Sequence, residues 1–157
     1  MSRVVVVTGG TRGIGRAVVE RFASDRVIAL GSADCDVTDE AAVAATFERI
    51  GPVDVLVNNA GISGSAPLAR TSLDDWRSQM DVNATGAFLC TRAVLAGMLE
   101  RGSGRIVTVA STAGRAGARY TAAYTASKHA AVGLMRAVAA TAASSVTSQS
   151  ARPSAIT

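Results

Sequence analysis

Val4-Val5-Val6-Val7-Thr8-Gly9-Gly10-Thr11-Arg12-Gly13-Ile14-Gly15 decides the fold. The β-branched run Val4–Val7 predicts a strand buried on both faces, because a parallel strand with helices on each side shows no polar face to water. Downstream, Ile14, Ala17, Val18 and Phe22 recur at helical spacing and predict a helix over Gly13–Ser24. Glycines join the two. Gly9, Gly13 and Gly15 lack the β-carbons that would obstruct a tight turn, the approach of a pyrophosphate to the backbone, and close packing of helix on strand. The helix amino terminus then offers unpaired N–H groups to an anion. A purely structural turn is the alternative reading. No Gly-Lys-Ser/Thr closes the loop, which argues against nucleotide triphosphate hydrolysis of the P-loop kind.

Working outward, strands and helices alternate. Strand Arg3–Val7 and the first helix are followed by strand Arg26–Leu30, helix Asp39–Ile50 with Thr38 as its cap, and strand Val53–Val57. A loop from Gly61 to Pro67 leads into helical sequence over Leu73–Glu100, which Gly102 and Gly104 end; strand Arg105–Ala110, the loop Thr112–Arg119 and a helix carrying Tyr124 complete the readable part. This order specifies an α/β fold, a doubly wound parallel sheet with helices on both faces. One crossover is missing. A parallel connection needs about a dozen residues, and Gly31–Cys35 cannot supply them, so the chain must pass straight from Gly31 to Asp36.

Candidate chemistry collects at the carboxyl ends of these strands, where open α/β sheets bind their ligands. Asn58-Asn59-Ala60-Gly61 closes the third strand, although an Asn-Gly-type turn would read alike. Ser111 follows strand Arg105–Ala110, a place where a helix cap is the ordinary explanation. The only lysine in the chain, Lys128, stands four residues after Tyr124, so one helix face carries both side chains one turn apart. A unit positive charge about 4 Å from a phenol is worth ~4 kcal/mol at an effective dielectric of ~20, enough to turn a weak acid into a useful proton donor. On a surface helix the same pair is commonly just solvated. Tyr120 has no lysine one turn on, and His129 points to another face.

Composition fits one domain with a core: 157 residues, 48% of them hydrophobic. The two cysteines, Cys35 and Cys90, are far apart and lack metal-ligand spacing, so neither a disulfide framework nor a metal site is indicated, and a reducing cytoplasm is expected. No apolar run reaches the roughly 18 residues of a membrane span, and the first is too short for a signal peptide, so neither membrane nor secretion is expected. The net charge of +4 comes from scattered arginines with 4% aromatic residues, which reads as a solvated surface that attracts a polyanionic cofactor rather than nucleic acid.

In this order the motifs resemble the short-chain dehydrogenase/reductase family of Rossmann-fold oxidoreductases, and within it the ketoacyl reductases of fatty-acid and polyketide synthesis. The similarity runs from about Ser2 to about Ala140 and rests on the glycine loop, Asn58–Gly61, Asn83 in Asp81-Val82-Asn83-Ala84-Thr85-Gly86, Ser111, and the Tyr124/Lys128 pair. It implies strand order 2-1-4-5 in the family's numbering, with the usual third strand and the C-terminal strands missing. It divides the chain into a truncated dinucleotide-binding domain, 1–140, and an irregular tail, 141–157, whose Ser/Thr/Ala run suggests a truncation or a shifted reading frame.

The resemblance further implies reversible hydride transfer between a nicotinamide and a small-molecule carbonyl, free or acyl-carrier-linked. Tyr124 would exchange the proton, Lys128 would assist it and hold the nicotinamide ribose, Ser111 would donate to the carbonyl oxygen, and Asn83 would position a water that relays protons to Lys128; a polar helix break is the plain alternative for Asn83. Gly9, Thr11, Arg12, Gly13, Ile14, Gly15, Ser32, Asn59, Ala60 and Gly61 would bind the cofactor. Asp36 and Val37 would meet its adenine, with capping of the next helix the plain role for Asp36. The second strand ends in Gly31-Ser32 without an acid, and Arg12 resembles the arginine of NADP-using relatives, so NADP(H) is favoured over NAD(H), with Asp34 the residue that could reverse this. A nucleotide binder without turnover is the alternative function. A homodimer would form through the helices at Val82–Leu99 and Ala122–Ala139, without the family's tetramer.

Overall fold

The computed structural model of the chain describes residues 2–150, with side chains as far as residue 143. Its elements are β1 (Val4–Thr8), α1 (Gly13–Arg21), β2 (Arg26–Leu30), α2 (Glu40–Ile50), β3 (Val55–Asn58), α3 (Leu73–Met80), α4 (Gly86–Arg101), β4 (Arg105–Thr108) and α5 (Ala122–Ser150). The four strands form one parallel sheet in the order β2-β1-β3-β4, the abbreviated order anticipated above. β2 passes to α2 through the turn at 31–39, with Gly31 O accepting from the N–H groups of Asp34 and Cys35.

Strand alternation divides the core into two layers. Val5, Val7, Val55 and Val57 face α1, where Val18, Val19 and Phe22 cover them. Val6 and Leu56 turn the other way and join Val43 and Phe47 of α2 and Leu89, Cys90, Val94 and Met98 of α4. Ile14 breaks the periodic pattern read from the sequence: it is 66% exposed and borders an open cavity at the sheet edge.

Several boundaries differ from the sequence reading. Residue 39, not 38, caps α2: Asp39 accepts from Ala42 N–H, while Thr38 gives both its N–H and its hydroxyl to Asp36 Oδ1. The helical stretch expected over Leu73–Glu100 runs unbroken to Arg101, but its turn at Asp81–Thr85 widens to a π-helix between α3 and α4. The helix Leu73–Arg101 contains an 18-residue window long and apolar enough to cross a membrane by length and composition alone, and 44% of that window is buried inside the fold, as in a core helix. α5 runs through Ser150, past the point where irregular sequence was expected to begin, and residues 151–157 lie outside the described residues.

Candidate active site

The glycine loop is held open by polar groups of its neighbours. Thr8, 2% exposed at the end of β1, accepts on Oγ1 from the N–H groups of Asn59 and Ala60 at 3.1 and 3.0 Å. In return Asn59 Nδ2 donates to Thr8 O and Gly9 O at 2.9 and 3.1 Å, so the ends of β1 and β3 are laced together. Gly15 packs against Gly9 O and Asn59 Nδ2 with no room for a β-carbon. Gly13 is the reverse case. Its φ is +53°, and a β-carbon there would meet nothing within 4 Å, so the loop presents bare backbone to open space.

That space is a cavity of about 730 Å³ at the carboxyl edge of β1 and β2. It collects the residues from Gly9 to Val37 that were assigned to a cofactor, together with Asn59, Ala60 and Gly61, and adds Leu30, Gly31, Cys35, Ile62 and Val82, to which the sequence reading gave no cofactor role; Tyr124 and Lys128 do not line it. α1 begins at its wall without a side-chain cap and without an acid in its first turn, so its N–H groups point at an anion site with nothing competing. This cradle fits a dinucleotide pyrophosphate. Arg12 is exposed on the rim. Asp34 does not line the cavity, and its carboxylate is turned back to accept from Gly31 N–H at 2.8 Å. The N–H and hydroxyl of Thr38 hold the Asp36 carboxyl below the ordinary carboxylate range.

The second half of the site is built by α5 and the π-turn. Lys128 is 6% exposed; Nζ donates to Val109 O at 2.9 Å and lies 5.8 Å from the centroid of the Tyr124 ring. Among the described residues it forms no ion pair. A buried ammonium without a carboxylate costs free energy unless its remaining donors serve something else. They lie close to the cavity: the β-carbon position of Gly61 is 3.6 Å from Lys128 Nζ and 3.1 Å from Asn83 Oδ1.

The wide turn brings Asn83 inward, 2% exposed. Its amide accepts from Ile62 N–H at 2.8 Å and donates to Ile62 O at 2.8 Å and to Ser127 Oγ at 2.9 Å. Asn83 is therefore a brace between the cavity loop and α5, and any water beside it is left to the second lone pair of Oδ1 or the main-chain carbonyl. Ser111 caps the short turn Thr112–Gly114 by accepting from Ala113 N–H at 3.2 Å, which leaves its hydroxyl proton free to donate elsewhere. Of the two competing groups, Tyr120 is 55% exposed with its ring beside Arg119, and His129 bonds to Thr125 O on the outer face of α5.

A family model described as short chain dehydrogenase matches residues 28–157. A Streptomyces coelicolor protein provisionally named a ketoacyl reductase is 40% identical across 87% of this chain and 64% of its own length. A Xanthobacter autotrophicus protein named inactive 2-(S)-hydroxypropyl-CoM dehydrogenase 2 is 46% identical across 79% of this chain and 56% of its own. A crystal structure from Beutenbergia cavernae, provisionally assigned as an NAD(P)-dependent gluconate 5-dehydrogenase with NADP at low occupancy, superposes with a TM-score of 0.86 at 40% identity, over 91% of this chain and 68% of that one. The chain thus spans about two thirds or less of the length of these proteins.

Proposed function

Because the chain belongs to the short-chain dehydrogenase family, we propose that it moves a hydride between NADP(H) and a carbonyl or secondary-alcohol substrate, with Tyr124 exchanging the proton. The observation that carries this reading is the buried ammonium of Lys128, unpaired by any carboxylate among the described residues, beside a phenol and 3.6 Å from the β-carbon position of Gly61, which lines the cavity.

When bound, the nicotinamide supplies or accepts the hydride. Everything else falls to the protein. The first-turn N–H groups of α1 and the bare backbone at Gly13 hold the pyrophosphate, and Asp36 and Val37 border the adenine. The free N–H donors of Lys128 hold ribose hydroxyls, and its charge attracts the negative charge that develops on the Tyr124 oxygen during proton transfer. The hydroxyls of Tyr124 and Ser111 both orient the substrate oxygen; a donor aimed at developing charge is worth about 3–4 kcal/mol at a well-formed site. Arg12, exposed on the rim, pairs with a 2′-phosphate, while Asp34 stays engaged in its own turn. The ketoacyl reductase relative supports a 3-oxoacyl-type ketone, free or carrier-linked, as substrate class.

Titration with NADPH and NADH, followed through Trp76 fluorescence, should show tighter binding of NADPH, and Arg12→Ala should remove the difference. Loss of NADPH absorbance with a 3-oxoacyl thioester should vanish in Tyr124→Phe while binding persists. Turnover that survives in Tyr124→Phe sinks the mechanism. That one relative, 46% identical, is named as inactive favours a second reading: a nucleotide binder without turnover. Binding of NADPH by the wild-type protein with no consumption against any carbonyl would select it.

A further inference from the structure

After β3 the chain crosses the site as a strap, residues 61–67, and one edge of it is gripped at every second residue. Ile62 N–H donates to Asn83 Oδ1 at 2.8 Å, Gly64 N–H to Gln79 Oε1 at 2.9 Å, and Ala66 N–H to Tyr120 O at 2.8 Å. A repeat of two is that of a strand edge. Here the partner is not a strand: two side-chain amides one helical turn apart supply the first two acceptors, and a backbone carbonyl supplies the third.

Gln79 is fixed for this contact. It is 6% exposed on α3, and its Nε2 donates back to Asp75 O at 3.3 Å, which turns Oε1 toward Gly64. Gly64 approaches so closely that a β-carbon on it would lie 2.8 Å from Gln79 Nε2. The third grip is strained. Tyr120 has a φ of +64°, the one positive value on a non-glycine among the described residues, and in that conformation its carbonyl receives Ala66 N–H.

The strap joins the two halves of the site. Gly61 and Ile62 line the cofactor cavity, and the β-carbon position of Gly61 lies 3.6 Å from Lys128 Nζ. At the other end Ala66 is tied to the residue four before Tyr124, and Gly64, Ser65 and Ala66 share a cavity of about 220 Å³ with Ala122 and Ala123 of α5. The strap thus follows the stretch from Lys128 back to Tyr120, which carries the phenol.

We infer that Gln79 is a positioning residue, which through Gly64 fixes the middle of this strap as a wall of the carbonyl-substrate site. The inference rests on the hydride-transfer reading, in which the substrate lies between the cofactor and Tyr124, the two places that the strap connects. Neither end needs Gln79, since Asn83 holds Ile62 with two bonds and Tyr120 holds Ala66. Its loss therefore loosens the substrate and spares the dinucleotide.

Titration calorimetry of a 3-oxoacyl thioester into the NADP+-loaded full chain tests this without turnover, because oxidised cofactor has no hydride to give and the ketone can only bind. Gln79→Met, which keeps the bulk and removes the acceptor, should weaken the thioester about tenfold, leave NADP+ affinity within twofold, and speed hydrogen exchange at the Gly64 amide at least tenfold. Gly64→Ala reaches the same contact from the other side, by pushing a β-carbon against the Gln79 amide, and should give the same split. Thioester affinity unchanged in both variants, an equal loss of NADP+ affinity, or no thioester binding by the wild-type protein would each overturn the inference. A wild-type protein that does not bind NADP+ removes the hydride-transfer reading and the inference with it. Should the wild type bind the thioester with the expected split yet never oxidise NADPH, the hydride-transfer reading fails and the role of Gln79 stands.

Discussion

Replacing Asn83 by alanine tests whether the π-turn exists to brace the site. The side chain makes three hydrogen bonds of 2.8 to 2.9 Å, two to the backbone of Ile62 and one to Ser127. Each is worth ~1 kcal/mol net, and a buried group left without its partner costs ~1–3 kcal/mol. The partners are not equivalent. Ile62 is 41% exposed, so water can take over its N–H and C=O, whereas Ser127 is fully buried and keeps only its own bond to Tyr124 O. The sum is about 2–3 kcal/mol, which for a chain of this size lowers the melting temperature by about 5–10 °C. Urea and thermal unfolding measure this directly, and NADPH affinity measures the release of the loop at Gly61 and Ile62. Asn83→Asp separates bracing from mere filling of space. It retains the shape and the acceptor for Ile62 N–H but turns a second acceptor toward Ile62 O, so a brace is weakened and a filler is not. A melting temperature within 1 °C of wild type for both variants would refute the argument.

The two loop glycines should fail differently. Gly15→Ala drives a β-carbon into Gly9 O and Asn59 Nδ2 and should destabilise the fold by about 1–3 kcal/mol as well as abolish cofactor binding. Gly13→Ala meets open space and carries only the penalty of its positive φ, about 1–2 kcal/mol, so it should fold yet lose NADPH affinity; calorimetry with unfolding curves on both variants separates the cases. Burial, with the neighbouring Cys35 adding to it, pushes the Cys90 thiol from 9.0 up to about 12. A raised folded pKa favours folding below the unfolded value, and that contribution is lost as pH rises from 9 toward 12, so denaturant midpoints should fall over this window and recover in Cys90→Ala relative to its own value at pH 8. At the acid end the depressed carboxyl of Asp36 acts oppositely: its contribution is present above the unfolded carboxylate pKa and is lost as pH falls through the lower folded value. Asp36→Asn should flatten the acid limb of the stability profile.

How far the sequence reveals this molecule depends on the range of the interaction that fixes each residue. The sheet was legible because Val4–Val7 and Val53–Val57 carry burial in their own composition, and a crossover shorter than a helix has only one route to take at Gly31. The glycine loop was legible for a similar reason, since what a missing β-carbon allows is local. Asn83 was visible as a candidate, but its geometry was not: the apolar pattern runs through Leu73–Glu100 without interruption, and the wide turn that carries it inward is fixed by Ile62 and Ser127, 21 and 44 residues away. Thr8 was passed over because its role depends on Asn59 and Ala60, across the sheet. Thr38 lost the cap of α2 to Asp39 because Asp36 competes for it, a contest among neighbours whose outcome composition does not announce. The Lys128 ammonium combines both ranges. Its spacing from Tyr124 is written in five consecutive residues, while its surroundings, the Val109 carbonyl it donates to and the nearby backbone of Gly61, come from two other segments of the chain.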